Sequence, residues 1–100
     1  MILYNVTVNV DEAIAKEWLQ WMKEQHMPDV MATGCFRESR IFRLLSAKEQ
    51  GGFTYAVQYF AENMEDYQRY FDNHAEALQT EHINRYKDRF VAFRTLLESV

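Results

Sequence analysis

One cysteine, one proline, three glycines and three histidines are scattered over 100 residues, and each scarcity closes off a class of protein. A lone Cys35 forms no internal disulfide, which excludes a disulfide scaffold. No apolar run approaches the ~20 residues that cross a bilayer, so no membrane partner is expected. The start, Met1-Ile2-Leu3-Tyr4, lacks the basic stretch and small-residue cleavage pattern of a signal peptide. Together with the single thiol, this points to a cytoplasmic setting. Acidic and basic residues are interspersed, and a net charge of −4 disfavours tight binding to a phosphate backbone. A glycine-rich phosphate loop, a nucleophile elbow, a linker, a repeat and a low-complexity segment are all missing. What remains is 48% hydrophobic and 26% charged, the balance of a globular chain forming a single domain over residues 1–100. A chain this size buries roughly 60–65% of its unfolded surface.

Residues 2–10 alternate, with Tyr4, Val6, Val8 and Val10 on one face and Leu3, Asn5, Thr7 and Asn9 on the other, which predicts a strand. Asp11 stands where an N-cap belongs, ahead of a helix whose stripe is Ile14, Ala15, Trp18, Leu19 and Met22. Pro28 biases Met27 towards extended backbone and so predicts a helix end near His26, with one short turn restarting at Pro28 and closed by Gly34. Residues 35–46 read as a second strand with two mixed faces, and periodicity leaves open which one meets the helices. Residues 47–52 form a hairpin turn and residues 53–61 a third strand. Asn63 caps a second long helix with Met64, Tyr67, Phe71, Ala75, Leu78 and His82 on one face. The segment Asn73-His74-Ala75-Glu76 resembles a second capping signal, but the continuous stripe favours one unbroken helix. Residues 90–97 form the last strand.

This order is the α+β, ferredoxin-like βαββαβ arrangement, a four-stranded antiparallel sheet with two helices on one face. The strands carry bulky residues on both faces, yet two helices cover only one side. The other side is expected to show Leu3, Asn5 and Thr7 with Ala56, Gln58 and Phe60, joined by Ala92, Arg94 and Leu96. Such a surface suits a homodimer closed sheet to sheet about a twofold axis, or a monomer that tolerates its open face. Apolar patches on monomers seldom exceed a few hundred Å², which favours the dimer.

The segments Trp18, His26-Met27-Pro28-Asp29-Val30-Met31, Thr33-Gly34-Cys35-Phe36, Thr54-Tyr55-Ala56-Val57-Gln58-Tyr59 and Ala92-Phe93-Arg94-Thr95-Leu96 carry a resemblance over nearly the full length. The chain resembles the dimeric α+β barrel proteins and, more closely, a bacterial family catalogued as domain of unknown function 4286. The wider superfamily includes cofactor-free monooxygenases, decarboxylases, polyketide cyclases and lactone isomerases beside members with no known chemistry, and fold alone selects none of them.

His26-Met27-Pro28 is similar to a His-x-Pro at the end of the first helix in some of those enzymes, where the imidazole reaches a pocket between helices and sheet. The resemblance implies His26 as acid and base in enolisation or aldol cyclisation of a small carbonyl compound. Otherwise His26 caps helical carbonyls and faces water. His82, between Leu78 and Tyr86 on the apolar stripe, has two readings as well. It is a second base in a pocket lined by Tyr4, Trp18, Met22, Tyr59, Tyr67 and Phe71, or a core histidine bonded to a tyrosine or a carbonyl. His74 lies on the stripe's margin, about 12 Å along the helix axis from His82, so the two share no ion; no metal and no cofactor is expected. Residues 52–58 faintly echo the aromatic motif of RNA-recognition domains. Gly51 replaces its leading basic residue and Gln58 its final aromatic, so no nucleic-acid partner is expected.

Function is therefore expected to be that of a small-molecule-binding or structural module. The alternative is a cofactor-independent monooxygenase or cyclase/isomerase acting on a small aromatic or polyketide-like carbonyl compound. A module that pairs with a protein along a strand edge is the third reading.

Overall fold

The computed structural model describes residues 1–46 and 51–100. Strands Ile2–Asp11 (β1), Glu38–Arg43 (β2), Gly52–Ala61 (β3) and Phe90–Glu98 (β4) form one antiparallel sheet in the order β2-β3-β1-β4. Helices Ala15–Trp21 (α1), Met27–Ala32 (α2), Met64–Asn73 (α3) and Ala75–Arg85 (α4) complete the βαββαβ ferredoxin-like fold. β1 is central, pairing with β3 from Ile2↔Ala61 to Asp11↔Gly52 and with β4 from Ile2↔Glu98 to Val10↔Phe90. That register turns Tyr4, Val8 and Val10 with Tyr55, Val57 and Tyr59 towards the helices, and all six are buried. Most of the turn expected at residues 47–52 lies outside the described residues.

The first helix does not end at His26. Asp11 caps it as expected, its Oδ1 accepting from the Ala13 N–H at 3.0 Å, and a 3₁₀ turn over Glu12–Ile14 leads into α1. The Ala13 bond, and after it the Arg89 guanidinium at 2.9 Å, hold the Asp11 carboxyl below its usual range. A π turn over Met22–His26 then joins α1 to α2. Met27 stays helical at φ −63°, ψ −43°, and its N–H donates to the Met22 carbonyl five residues back. This wide turn lets Pro28 remain inside the helix. Proline supplies no N–H and clashes with the carbonyl four residues earlier in a regular turn, and one inserted residue relaxes both problems. The insertion also puts pairs five apart on the buried face, Trp21 with His26 and Met22 with Met27.

β2 is shorter than the pattern predicts. Cys35 and Phe36 are both buried, which consecutive residues of a strand with one covered face cannot be. They belong to the preceding loop, where Phe36 packs edge-on against Tyr70 at 4.9 Å between ring centroids. The Ile41↔Val57 register turns Ser39, Ile41 and Arg43 to the helix side and Glu38, Arg40 and Phe42 to the open side.

Two further expectations are corrected. The second helix breaks at His74 (φ −131°, ψ −31°), where the Asn73 side-chain amide donates to the Arg69 carbonyl at 3.0 Å. The break shifts the helical phase, so Tyr70 is buried while Phe71 is 56% exposed. In β4, the Val6↔Arg94 and Val8↔Ala92 pairs put Ala92, Arg94 and Leu96 on the helix side. The open side receives Val91, Phe93, Thr95 and Leu97 instead.

β1 and β3 approach closely at Gly52. A Cβ there would sit 2.5 Å from the Val10 carbonyl oxygen and 2.8 Å from Asn9 Oδ1. Gly52→Ala is expected to lower the unfolding free energy by about 1–3 kcal/mol, read as an earlier urea midpoint at constant m-value. An unmoved midpoint would contradict this packing.

Candidate functional site

The π turn, the sheet and the second helix pair converge on one cavity. Tyr4, Val6 and Val8 rise from β1 and Val57 and Tyr59 from β3, with Met22 and His26 above them. Tyr70, Gln79 and His82 close the helical side, and Arg94 reaches in from β4. The enclosed space is about 20 Å³, room for one water-sized group, within a cleft of about 350 Å³ counted out to solvent.

Hydrogen bonding defines its chemistry. The Trp18 indole N–H donates to His82 Nε2 at 2.9 Å. An indole only donates, so His82 Nε2 carries no proton and the neutral ring keeps its hydrogen on Nδ1. His82 stacks on Phe90 at 4.1 Å and 11° between planes, and its centroid lies 5.5 Å from that of His26. His26 in turn packs 5.1 Å from Trp21, its neighbour five residues back across the π turn. Two polar atoms of residues lining the cavity have no hydrogen-bond partner among the described residues, His26 Nδ1 and the Tyr59 hydroxyl, on side chains only 8% and 2% exposed. Arg94 Nε donates to the Tyr4 hydroxyl at 3.1 Å.

Burial pulls both imidazoles well below the ordinary 6.5, to about 4 for His26 and about 4 for His82. The Arg94 cation pushes both in the same direction, His26 adds to the effect on His82, and Asp29 opposes it at His26. Burial likewise drives the Tyr59 and Tyr70 phenols above their usual range. At neutral pH the wall therefore presents two neutral imidazoles, neutral phenols and one guanidinium. Such a surface donates hydrogen bonds, accepts a proton weakly and favours a negative or strongly accepting group.

The residues singled out from sequence are distributed unevenly around this space. Tyr4, Met22, Tyr59, His26 and His82 line it. Trp18 is fully buried behind it as the donor to His82. Tyr67 is half-buried, 5.3 Å from Tyr4. Phe71 points away, because the break at His74 gives its place to Tyr70. His26 is buried among aromatic rings and does not face water. Arg94, Tyr70 and Gln79 were not read as site residues; the alternation of β4, paired against β1 in the correct register, is the signal that recovers Arg94. Among the described residues, no group of three or more His, Cys, Asp or Glu side chains is placed to hold a metal ion.

A family model described as Domain of unknown function (DUF4286) matches residues 1–100. The chain belongs to this family. None of the curated proteins matches the DUF4286 chain in sequence. Among solved structures it is similar to a dimeric ferredoxin-like protein from an uncultured marine organism, with 11% identity and a TM-score of 0.73 over 100% of this chain and 95% of that one. It is also similar to a variant of MhuD with two manganese protoporphyrin IX molecules bound per active site, with 19% identity, TM-score 0.73 and coverage of 100% and 95%. A third likeness is to SnoaB, a cofactor-independent oxygenase from Streptomyces nogalater, with 7% identity, TM-score 0.65 and coverage of 98% and 92%. At these identities the likeness shows the fold that the DUF4286 chain shares with them.

The two imidazoles make this DUF4286 protein acid-sensitive in a defined window. Their folded-state values lie below the unfolded-state value, so protons bind the unfolded chain first as the pH drops. Their contribution is whole above pH 6.5 and is lost as the pH falls towards about 4. It amounts to on the order of 3 kcal/mol per ring. Thermal unfolding followed between pH 7 and 4 is expected to show the melting temperature falling steeply through that range; a flat profile would contradict the buried neutral pair.

Proposed function

We propose that the chain is a homodimeric small-molecule-binding module whose ligand enters the cleft between the π turn, α4 and the sheet, contacting Tyr4, Met22, Tyr59 and His26. The observation that carries this reading is the pair of deeply buried polar atoms without partners, His26 Nδ1 and the Tyr59 hydroxyl, on the wall of one cavity. An unsatisfied buried polar group costs about 1–3 kcal/mol, which a polar ligand atom recovers. Trp18 serves the site by holding His82, and Tyr67 shapes the aromatic wall through Tyr4. The MhuD variant, which holds two manganese protoporphyrin IX molecules per active site, supports the reading, since the shared fold accommodates an organic ligand there; SnoaB, an oxygenase, shares the same fold.

The open side of the sheet supports self-association. Val91 and Phe93 are 69% and 63% exposed, and Phe42 and Leu97 lie on the same side. Between them runs a polar strip that satisfies itself: Gln58 donates to Asn5, Asn5 to Thr7 and Asn9 to Thr54. A second copy of this sheet covers such a surface without leaving polar groups stranded. The lone buried thiol of Cys35 accords with a cytoplasmic setting, and no helix among the described residues is long and apolar enough to cross a membrane.

A cofactor-independent enzyme is the second reading, favoured by the free Nδ1 of His26. A base with so low a pKa accepts a proton at neutral pH only when the bound substrate stabilises the imidazolium. In that case turnover of a small carbonyl compound disappears in His26→Ala while the fold survives; turnover that persists removes His26 from the chemistry.

Two measurements test the leading reading. Sedimentation equilibrium is expected to give a particle of twice the 12.0 kDa chain mass, with Phe93→Lys shifting it to the monomer; a folded wild-type monomer at micromolar concentration would refute the dimer. A melting-shift screen of small aromatic and polyketide-like carbonyl compounds is expected to find stabilisers whose effect shrinks in Tyr59→Phe. If the whole panel leaves the melting temperature unmoved, the binding reading falls.

A further inference from the structure

We infer that the cleft selects an organic carboxylate, recognised by the Arg94 guanidinium together with the Tyr59 hydroxyl and the His26 ring in its Nδ1–H tautomer. This rests on the binding reading above and names the ligand class that the site takes.

The first argument is the state of Arg94 relative to the other arginines. Arg37, Arg40, Arg69 and Arg89 each pair with a carboxylate, at 2.8 to 3.3 Å. Arg43 lies over the Phe53 ring at 4.1 Å and Arg85 over Trp21 at 5.4 Å. Arg94 has neither kind of partner among the described residues. It spends Nε on the Tyr4 hydroxyl, and among the described residues no group takes either terminal nitrogen. A guanidinium with its terminal edge free matches the two oxygens of a carboxylate in a paired, planar contact.

The second argument is the charge and polarity of the wall. Among the described residues no aspartate or glutamate lines the cavity, and with both imidazoles neutral Arg94 is the one charged side chain among them. Several of the remaining polar groups can donate: the Tyr59 hydroxyl, the Gln79 amide and the Tyr4 hydroxyl, whose oxygen accepts from Arg94. The third argument is size and lining. The enclosed 20 Å³ admits a water-sized group such as a carboxylate oxygen, and the rest of the ligand lies towards solvent in the wider cleft. An apolar wall behind a single guanidinium fits a flat carboxylate on an organic frame.

The test compares benzoate with benzamide, an isosteric pair differing in charge, on the full chain by calorimetry and by amide chemical-shift changes. Benzoate is expected to bind roughly ten- to a hundredfold more tightly than benzamide. Arg94→Met is expected to abolish that preference and Arg94→Lys to keep part of it, while Tyr59→Phe weakens benzoate several-fold. Circular dichroism confirms the fold of each variant; should Arg94→Met fail to fold, the wild-type preference and Arg94→Lys decide. Equal affinity for the two probes in the wild type, or a preference that survives Arg94→Met, overturns the carboxylate assignment and leaves a binding cleft of another selectivity. Failure of both probes to bind at millimolar concentration overturns the cleft and the assignment together.

Discussion

The hydrogen bond from the Trp18 indole to His82 Nε2 holds the candidate site together. It spans two helices that are distant in the chain and fixes which nitrogen of His82 carries the proton. It also seats the ring flat on Phe90 at the start of β4. Around that ring, Trp21, His26 and Tyr86 complete an aromatic cluster that excludes water from both imidazoles. A charged ring in this position would sit between aromatic faces with Arg94 as a repulsive neighbour. Neutrality is therefore imposed by the surroundings, and it leaves Arg94 as the single charge at the cavity among the described residues. The chemical character of the site follows from that one constraint.

A second constraint is local. Pro28 has no place in a regular helix interior, and the π turn before it is the conformational answer. That turn puts His26 on the buried face against Trp21. A proline that reads as a helix terminator thus acts as a device for placing a histidine. The break at His74 has a parallel effect in the second helix. Before the break Tyr70 packs on Tyr4 and Phe36, and after it α4 carries His82 to the same cavity.

The strand and helix order, the Asp11 and Asn63 caps and the helix-facing sides of β1 and β3 were legible in the sequence because each rests on local chemistry. Period-two alternation and a capping carboxylate or amide need no knowledge of the partner strand. The side of β4 was not legible. Both its faces carry large residues, and the more apolar of them, with Val91, Phe93 and Leu97, is the one the helices leave open. Apolar content is a guide to the core only when a strand has one apolar face, and β4 has two. The Phe71 assignment failed because a helical stripe was extended through a break that the Asn73 side chain helps to make. His26, His82, Tyr4, Met22 and Tyr59 were read from the sequence as candidates. Arg94 was not, since its place depends on the register between β1 and β4, a long-range property.

The central claim, that His26 and His82 are a buried neutral pair with the His82 proton held on Nδ1, is most directly tested by an NMR titration of ¹⁵N-labelled imidazoles. The account predicts that both rings remain neutral down to about pH 4, and that His82 shows the Nδ1–H tautomer at neutral pH. Titration of either ring near 6.5, or an Nε2–H tautomer at His82, would contradict it.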